Sequence, residues 1–257
     1  MQKEENKFLD TDVFEGMPSI SAVIKAIDSQ SSNRRIERIY VDEEKKRSKA
    51  KELSFLRARS NDLGYEIVFK DNDFISGLTV GNTHGGIVAV CSHRDIPLLN
   101  DGHIVPNGVY YLLDGIEDPY NFGNALRSIY ASGADGIIVG ERNWLGVAGT
   151  VARASAGASE LLPSFVSDTF DAINTFKSKG YKIICAGIRD SESIFEADLS
   201  KPLLVILGGE KRGISGSVLS MADKIVRIDY GTDFKGSLSA SASAAVFAFE
   251  ILRYNKK

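Results

Sequence analysis

From residue 108 onward, short apolar runs alternate with stretches of helical spacing, and this alternation restricts the fold more than any other property of the chain. Runs at 109–113, 136–139, 182–187, 203–207 and 224–228 read as strands, and 121–132, 151–156, 169–179 and 240–254 read as helices. Apolar strands separated by helices pair in parallel, in a sheet covered on both faces. The C-terminal part is therefore expected to be an α/β domain. Three of the apolar runs lead into glycine-bearing loops: DPYNFGNALRS (118–128), LGGEKRGIS (207–215) and YGTDFKGSLSASASAA (230–245). Glycine lets the backbone turn sharply or approach a ligand closely. The polar residues Asn121, Arg127, Glu210 and Ser237 sit at loop or helix-start positions, where side chains can converge on one site.

The N-terminal part alternates shorter elements. A helix is expected at 20–27, a strand at 36–41, a charged amphipathic helix at 50–63, a strand at 65–69, a short helix at 73–78 and a strand at 86–91. These make a small α/β unit, and the Pro- and Gly-bearing stretch 97–107 reads as a linker. The expected domains are 1–100 and 108–257. Hydrophobic content of 43% and charged content of 25% suit a soluble globular protein. No apolar run approaches the roughly 20 residues of a membrane span, and the start MQKEENKFLD is unlike a signal peptide, so a cytoplasmic location is expected.

Cys91 and Cys185 lie in apolar surroundings, as buried thiols do in a reducing compartment. His84, His93 and His103 show no zinc-ligand spacing, and no metal is expected. A formal net charge of −3 does not announce a nucleic-acid binder. Between 34 and 59, however, ten Lys/Arg stand against five Asp/Glu. Such a cluster either attracts phosphate or forms a solvated helix face.

Taken singly, the C-terminal loops have plain structural readings. Asn121 is a good helix cap, Arg127 would face solvent on the helix it belongs to, and the small residues of 239–245 predict close packing. The second loop has neither GxxxxGK[ST] nor GxGxxG, which excludes the common phosphate-binding signatures.

Taken together, in this order and spacing, the loops resemble the motifs of the SpoU/TrmH family of the SPOUT superfamily. These trefoil-knotted enzymes transfer a methyl group from S-adenosylmethionine to an RNA ribose 2′-hydroxyl. The first loop matches at Asp118, Pro119, Asn121, Phe122, Gly123 and Arg127. RASAGASELLP (153–163) resembles the family's next helix and strand lead-in. The resemblance implies catalytic roles for Asn121, Arg127, Glu210 and Ser237. It implies a pocket for S-adenosyl-L-methionine formed by Leu207, Gly208, Gly209, Gly213, Ile228 and Leu238. Two positions depart from the family pattern, Asp229 for its proline and Ser239 for its asparagine.

FEGMPSISAVIKAI (14–27), RIERIYVD (35–42) and LTVGNTHGGIVAV (78–90) resemble the small α/β domain, with a ribosomal-protein fold, that precedes many of these enzymes. That likeness implies RNA contacts from Arg34, Arg35, Arg57, Arg59 and His84, with Asn82 and Thr83 beside the histidine. From the residues alone, a satisfied turn histidine is the favoured reading of His84. The resemblance further implies a homodimer acting on RNA, ribosomal rather than transfer RNA. The alternatives are a transfer-RNA ribose methyltransferase, a base-methylating relative, and an RNA-binding protein that keeps the cofactor fold without turnover.

Overall fold

The computed structural model describes residues 11–79, 84–140, 147–209 and 211–256. The chain forms two compact units. The first is Met1–Asp95 together with Asn143–Leu161; the second is Ile96–Arg142 together with Leu162–Lys257.

The first unit is a four-stranded sheet in the order β1-β4-β2-β3, from β1 (Thr11–Glu15), β2 (Ile36–Asp42), β3 (Glu66–Lys70) and β4 (Ile87–Ser92). Strand β4 runs antiparallel to β1 and β2, and β2 runs parallel to β3. Helices α1 (Gly16–Asp28) and α2 (Ala50–Leu63) bury Ile20, Val23, Ile24, Leu53 and Leu56 against Phe14, Ile39, Val41 and Ala89. Each apolar set recurs at three- or four-residue spacing, which gives the helix one buried face. The short helix α3 (Asn72–Gly77) packs Ile75 with Tyr40, Val88 and Val90 in a second cluster. Strand β1 was not expected from the sequence.

A further departure is the segment between the second unit's strands. Helices α5 (Ala148–Ala154) and α6 (Ala158–Leu161) belong to the first unit, with α5 against β1 and α6 against α1. Ala152 is fully buried in that unit's core. At Gly149, any Cβ would collide with the Val13 carbonyl, so the close approach requires glycine. The expected division at 100–108 does not foresee this return.

The second unit has a seven-stranded parallel sheet in the order β7-β6-β5-β10-β8-β11-β9. Its strands are β5 (Val109–Asp114), β6 (Gly136–Val139), β7 (Ser164–Val166), β8 (Lys182–Ala186), β9 (Glu192–Ser193), β10 (Leu203–Gly208) and β11 (Lys224–Arg227). The late strand β10 thus slots between β5 and β8. Helices α4 (Pro119–Ala131), α7 (Thr169–Ser178) and α9 (Ala240–Asn255) cover the sheet, with the short α8 (Gly216–Leu219) beside them. Helix α9 packs on α4 and β10.

The stretch 97–107 is not a loose linker. Leu99 donates to the Val166 carbonyl at 2.8 Å and Val166 to the Pro97 carbonyl at 2.9 Å, extending the sheet edge beyond β7. The Tyr110 hydroxyl donates to the His103 carbonyl at 2.8 Å, and the Tyr181 hydroxyl donates to that of Val105.

Candidate functional site

Because β5, β10, β8 and β11 are parallel, their carboxyl ends share one edge, where open α/β sheets bind ligands. The loops beyond β8, β10 and β11 line a cleft of about 860 Å³, the size of a small-molecule site. Leu207, Gly208, Gly209 and Gly213 from the second loop line it. Ile228 and Leu238 complete the residues expected to hold the cofactor, and Ser237 lines the cleft beside them. The wall also includes Gly187, Ile188 and Arg189 after β8, and Phe247 of α9. Sequence reasoning missed these, because no pattern marks the loop after β8.

The glycines of the second loop serve the backbone first. The Gly209 N–H donates to the Asp114 carbonyl at 2.7 Å, and a Cβ at Gly209 would collide with the Gly115 carbonyl. The close approach at Gly209 is therefore between the loops after β5 and β10. Gly213 closes the turn by donating to the Gly209 carbonyl at 3.0 Å, with a φ of 60°.

In the third loop, the Tyr230 hydroxyl accepts the Leu238 N–H at 3.2 Å. Ser239 caps α9 by accepting from the Ala242 N–H at 3.2 Å. That capping role suits serine and asparagine alike. Asp229 accepts from Arg227 Nε at 2.8 Å. A hydrogen bond from Ser193, and then that from Arg227, holds its carboxyl below the usual range. Ser237 is exposed at the cleft.

In the first loop the cap of α4 is Asp118, not Asn121. The Asp118 side chain accepts from the Asn121 N–H at 2.7 Å, and Pro119 takes the first helical position, where its missing N–H is no loss. Asn121 Oδ1 instead accepts from Ser241 Oγ at 3.2 Å, which ties the start of α4 to the start of α9. Arg127 is exposed on α4, in no ion pair among the described residues. Neither it nor Asn121 lines the cleft. Glu210 lies outside the described residues.

The residues expected to meet RNA scatter within the first unit. Arg34 is buried, forming ion pairs with Asp12 and, at 2.8 Å, Glu160, and lying 4.8 Å from the Phe14 ring centre. Burial disfavours its cation, but Glu160 and then Asp12 outweigh that and hold it above the ordinary arginine range. It cannot serve as a surface contact.

His84 is also buried. Its Nδ1 accepts the Gly86 N–H at 3.1 Å, so it is a turn residue rather than an RNA contact. Arg59 pairs with Asp28 and, at 2.6 Å, with Asp62. Arg35 and Arg57 are exposed. Asn82 and Thr83 lie outside the described residues.

Cys91 and Cys185 are free and buried, and burial pushes the Cys185 thiol up to about 12. Among the described residues, no group of three or more His, Cys, Asp or Glu could hold a metal ion. Among the same residues, no helix is long and apolar enough to cross a membrane.

Residues 108–249 match the model of the SpoU rRNA Methylase family. A provisionally named TrmH family tRNA/rRNA methyltransferase of Staphylococcus saprophyticus is 36% identical over 143 residues, which are 55% of this chain and 57% of that one. The chain thus spans little more than half the length of that relative. The 23S rRNA (guanosine-2′-O-)-methyltransferase RlmB of Ralstonia nicotianae is 27% identical over 225 residues, 86% of this chain and 88% of that one. Among solved structures, the SpoU methyltransferase AviRb of Streptomyces viridochromogenes, in complex with AdoMet, superposes with a TM-score of 0.77. The superposition covers 99% of this chain and 94% of AviRb at 22% identity, a likeness of fold.

Proposed function

The chain belongs to the SpoU rRNA Methylase family, and from that premise we propose that it methylates a ribose 2′-hydroxyl of ribosomal RNA, using S-adenosylmethionine. The observation that carries this reading is the cleft, which gathers the second and third loops at the carboxyl edge of the parallel sheet. Its fit to the cofactor rests on chemistry. Apolar walls from Leu207, Ile228 and Phe247 suit an adenosyl group. The similarity to RlmB supports the ribose hydroxyl and ribosomal RNA as target.

The cofactor supplies a methyl already activated on a sulfonium, so the protein's task is chiefly alignment. In this reading Leu207, Gly208, Ile228 and Leu238 hold it at the base of the cleft. Arg127 is effectively always protonated, which makes it a poor base. It instead clamps a phosphate beside the target ribose and stabilises the developing alkoxide, while the proton leaves through water or a neighbouring group. Asn121 and Ser237 orient the ribose, and Glu210 is kept as a participant from the family motif.

Arg35, Arg57 and Arg59 contribute phosphate contacts from the first unit. The central place of the late strand β10 supports the trefoil-knotted path expected from the family. Exposed Tyr120 and Tyr130 on α4 and Phe249 on α9, two helices that pack together, support a homodimer.

The test is transfer of labelled methyl from S-adenosylmethionine to ribosomal RNA, with nucleoside analysis of the product. A 2′-O-methylated nucleoside is expected. Label on a base, or label only in transfer RNA, would overturn the reading. RNA binding without label would favour the non-catalytic alternative, which the serine at 239 motivates.

A further inference from the structure

The cleft has a rim that the cofactor reading does not use. Phe234 lines it, in the loop between β11 and α9, and is 54% exposed although its ring lies 5.6 Å from that of Tyr230. Ile188, in the cleft lining after β8, is 73% exposed. Arg189 and Arg212 line the same cleft, are exposed, and form no ion pair among the described residues. Lys235 next to Phe234 pairs with Asp233. An exposed aromatic ring in one cleft with guanidinium groups that form no ion pair among the described residues is the combination by which proteins hold single-stranded nucleic acid, with bases stacked on rings and phosphates met by arginine. The inner wall is buried and apolar at Leu207 and Phe247, and suits a small molecule. The rim is exposed and cationic, and suits a polyanion.

We infer that Phe234 is a platform on which a base of the RNA strand stacks at the mouth of the cleft, with Arg189 and Arg212 meeting the flanking phosphates. The inference rests on the reading of the protein as an RNA methyltransferase, and makes Phe234 a positioning residue for the strand. Stacking tolerates any base, so the platform sets the strand's path rather than its sequence.

The test uses the full chain and a single-stranded RNA of about 12 nucleotides carrying one 2-aminopurine, whose fluorescence falls on stacking. Phe234→Ala is expected to weaken RNA binding about 5- to 150-fold and to abolish the quenching. Phe234→Trp should retain both, and Phe234→Leu should not, since it keeps apolar bulk without a ring. Arg189→Gln and Arg212→Gln should each lower the slope of log affinity against log salt by about 0.7. Calorimetry with S-adenosylmethionine should give wild-type affinity for Phe234→Ala.

Three results would overturn the inference: no quenching by the wild type, unchanged RNA affinity in Phe234→Ala, or loss of cofactor affinity with RNA affinity intact. The last would assign the ring to the cofactor's adenine. Quenching without any methyl transfer would leave the platform standing and remove the enzymatic reading. Methyl transfer with unchanged binding in Phe234→Ala would do the reverse.

Discussion

Arg127 and Arg34 show how much a residue's meaning depends on what surrounds it. Arg127 is exposed and uncommitted among the described residues. Arg127→Ala should therefore leave thermal stability and cofactor affinity unchanged while slowing single-turnover methyl transfer by about 10²- to 10³-fold. Arg127→Lys should rescue poorly, because a point charge does not reproduce the planar fork. Turnover at the wild-type rate in Arg127→Ala would remove it from the chemistry. Arg34 is the opposite case: its removal leaves Asp12 and Glu160 buried without their cation. Arg34→Met should lower the unfolding free energy by about 3–5 kcal/mol in urea titration. The pocket residues were legible because their motifs are local in sequence. Arg34 was not, because one partner lies 22 residues away and the other 126, inside a helix that the sequence places with the second unit.

At the scale of elements, amphipathic helices and buried strands were readable from their periodicity, and helix α2 matches its expected bounds of 50–63. Strand β7 has only three residues, too few to show any period. The edge at 97–107 is held by its backbone groups, which bond to Val166 and to the hydroxyls of Tyr110 and Tyr181 outside the stretch, so its prolines and glycines suggested a linker. Helix α4 began earlier than expected because a competing cap, Asp118, lay three residues upstream. The serine at 239 becomes intelligible at this scale, as the cap of α9. Ser239→Ala should cost about 1 kcal/mol of stability, and Ser239→Asn should cost nothing measurable by thermal unfolding. If Ser239→Asn also raises methyl transfer, the departure from the family motif lowers activity; if the rate is unchanged, the residue is a cap alone.

For the whole molecule, the homodimer reading predicts that Phe249→Glu shifts sedimentation at micromolar concentration from dimer to monomer. A wild-type chain that is already monomeric and active would remove that reading. The return of Asn143–Leu161 to the first unit means that the chain passes between units at 95–96, at 142–143 and again at 161–162. A truncated chain of 96–257 would leave Ala152 and its helix without the core that buries them. It should bind an apolar dye and unfold without cooperativity, and a sharp transition with cofactor affinity intact would contradict this. During synthesis the same arrangement imposes an order of events. The ribosome must deliver β5, α4 and β6 before it delivers α5 and α6, at roughly 5–20 residues per second. The first unit therefore waits several seconds, after its own strands have emerged, for the piece that closes it. An N-terminal domain usually matures ahead of its successor; this one finishes only when about a third of the second unit has already been made.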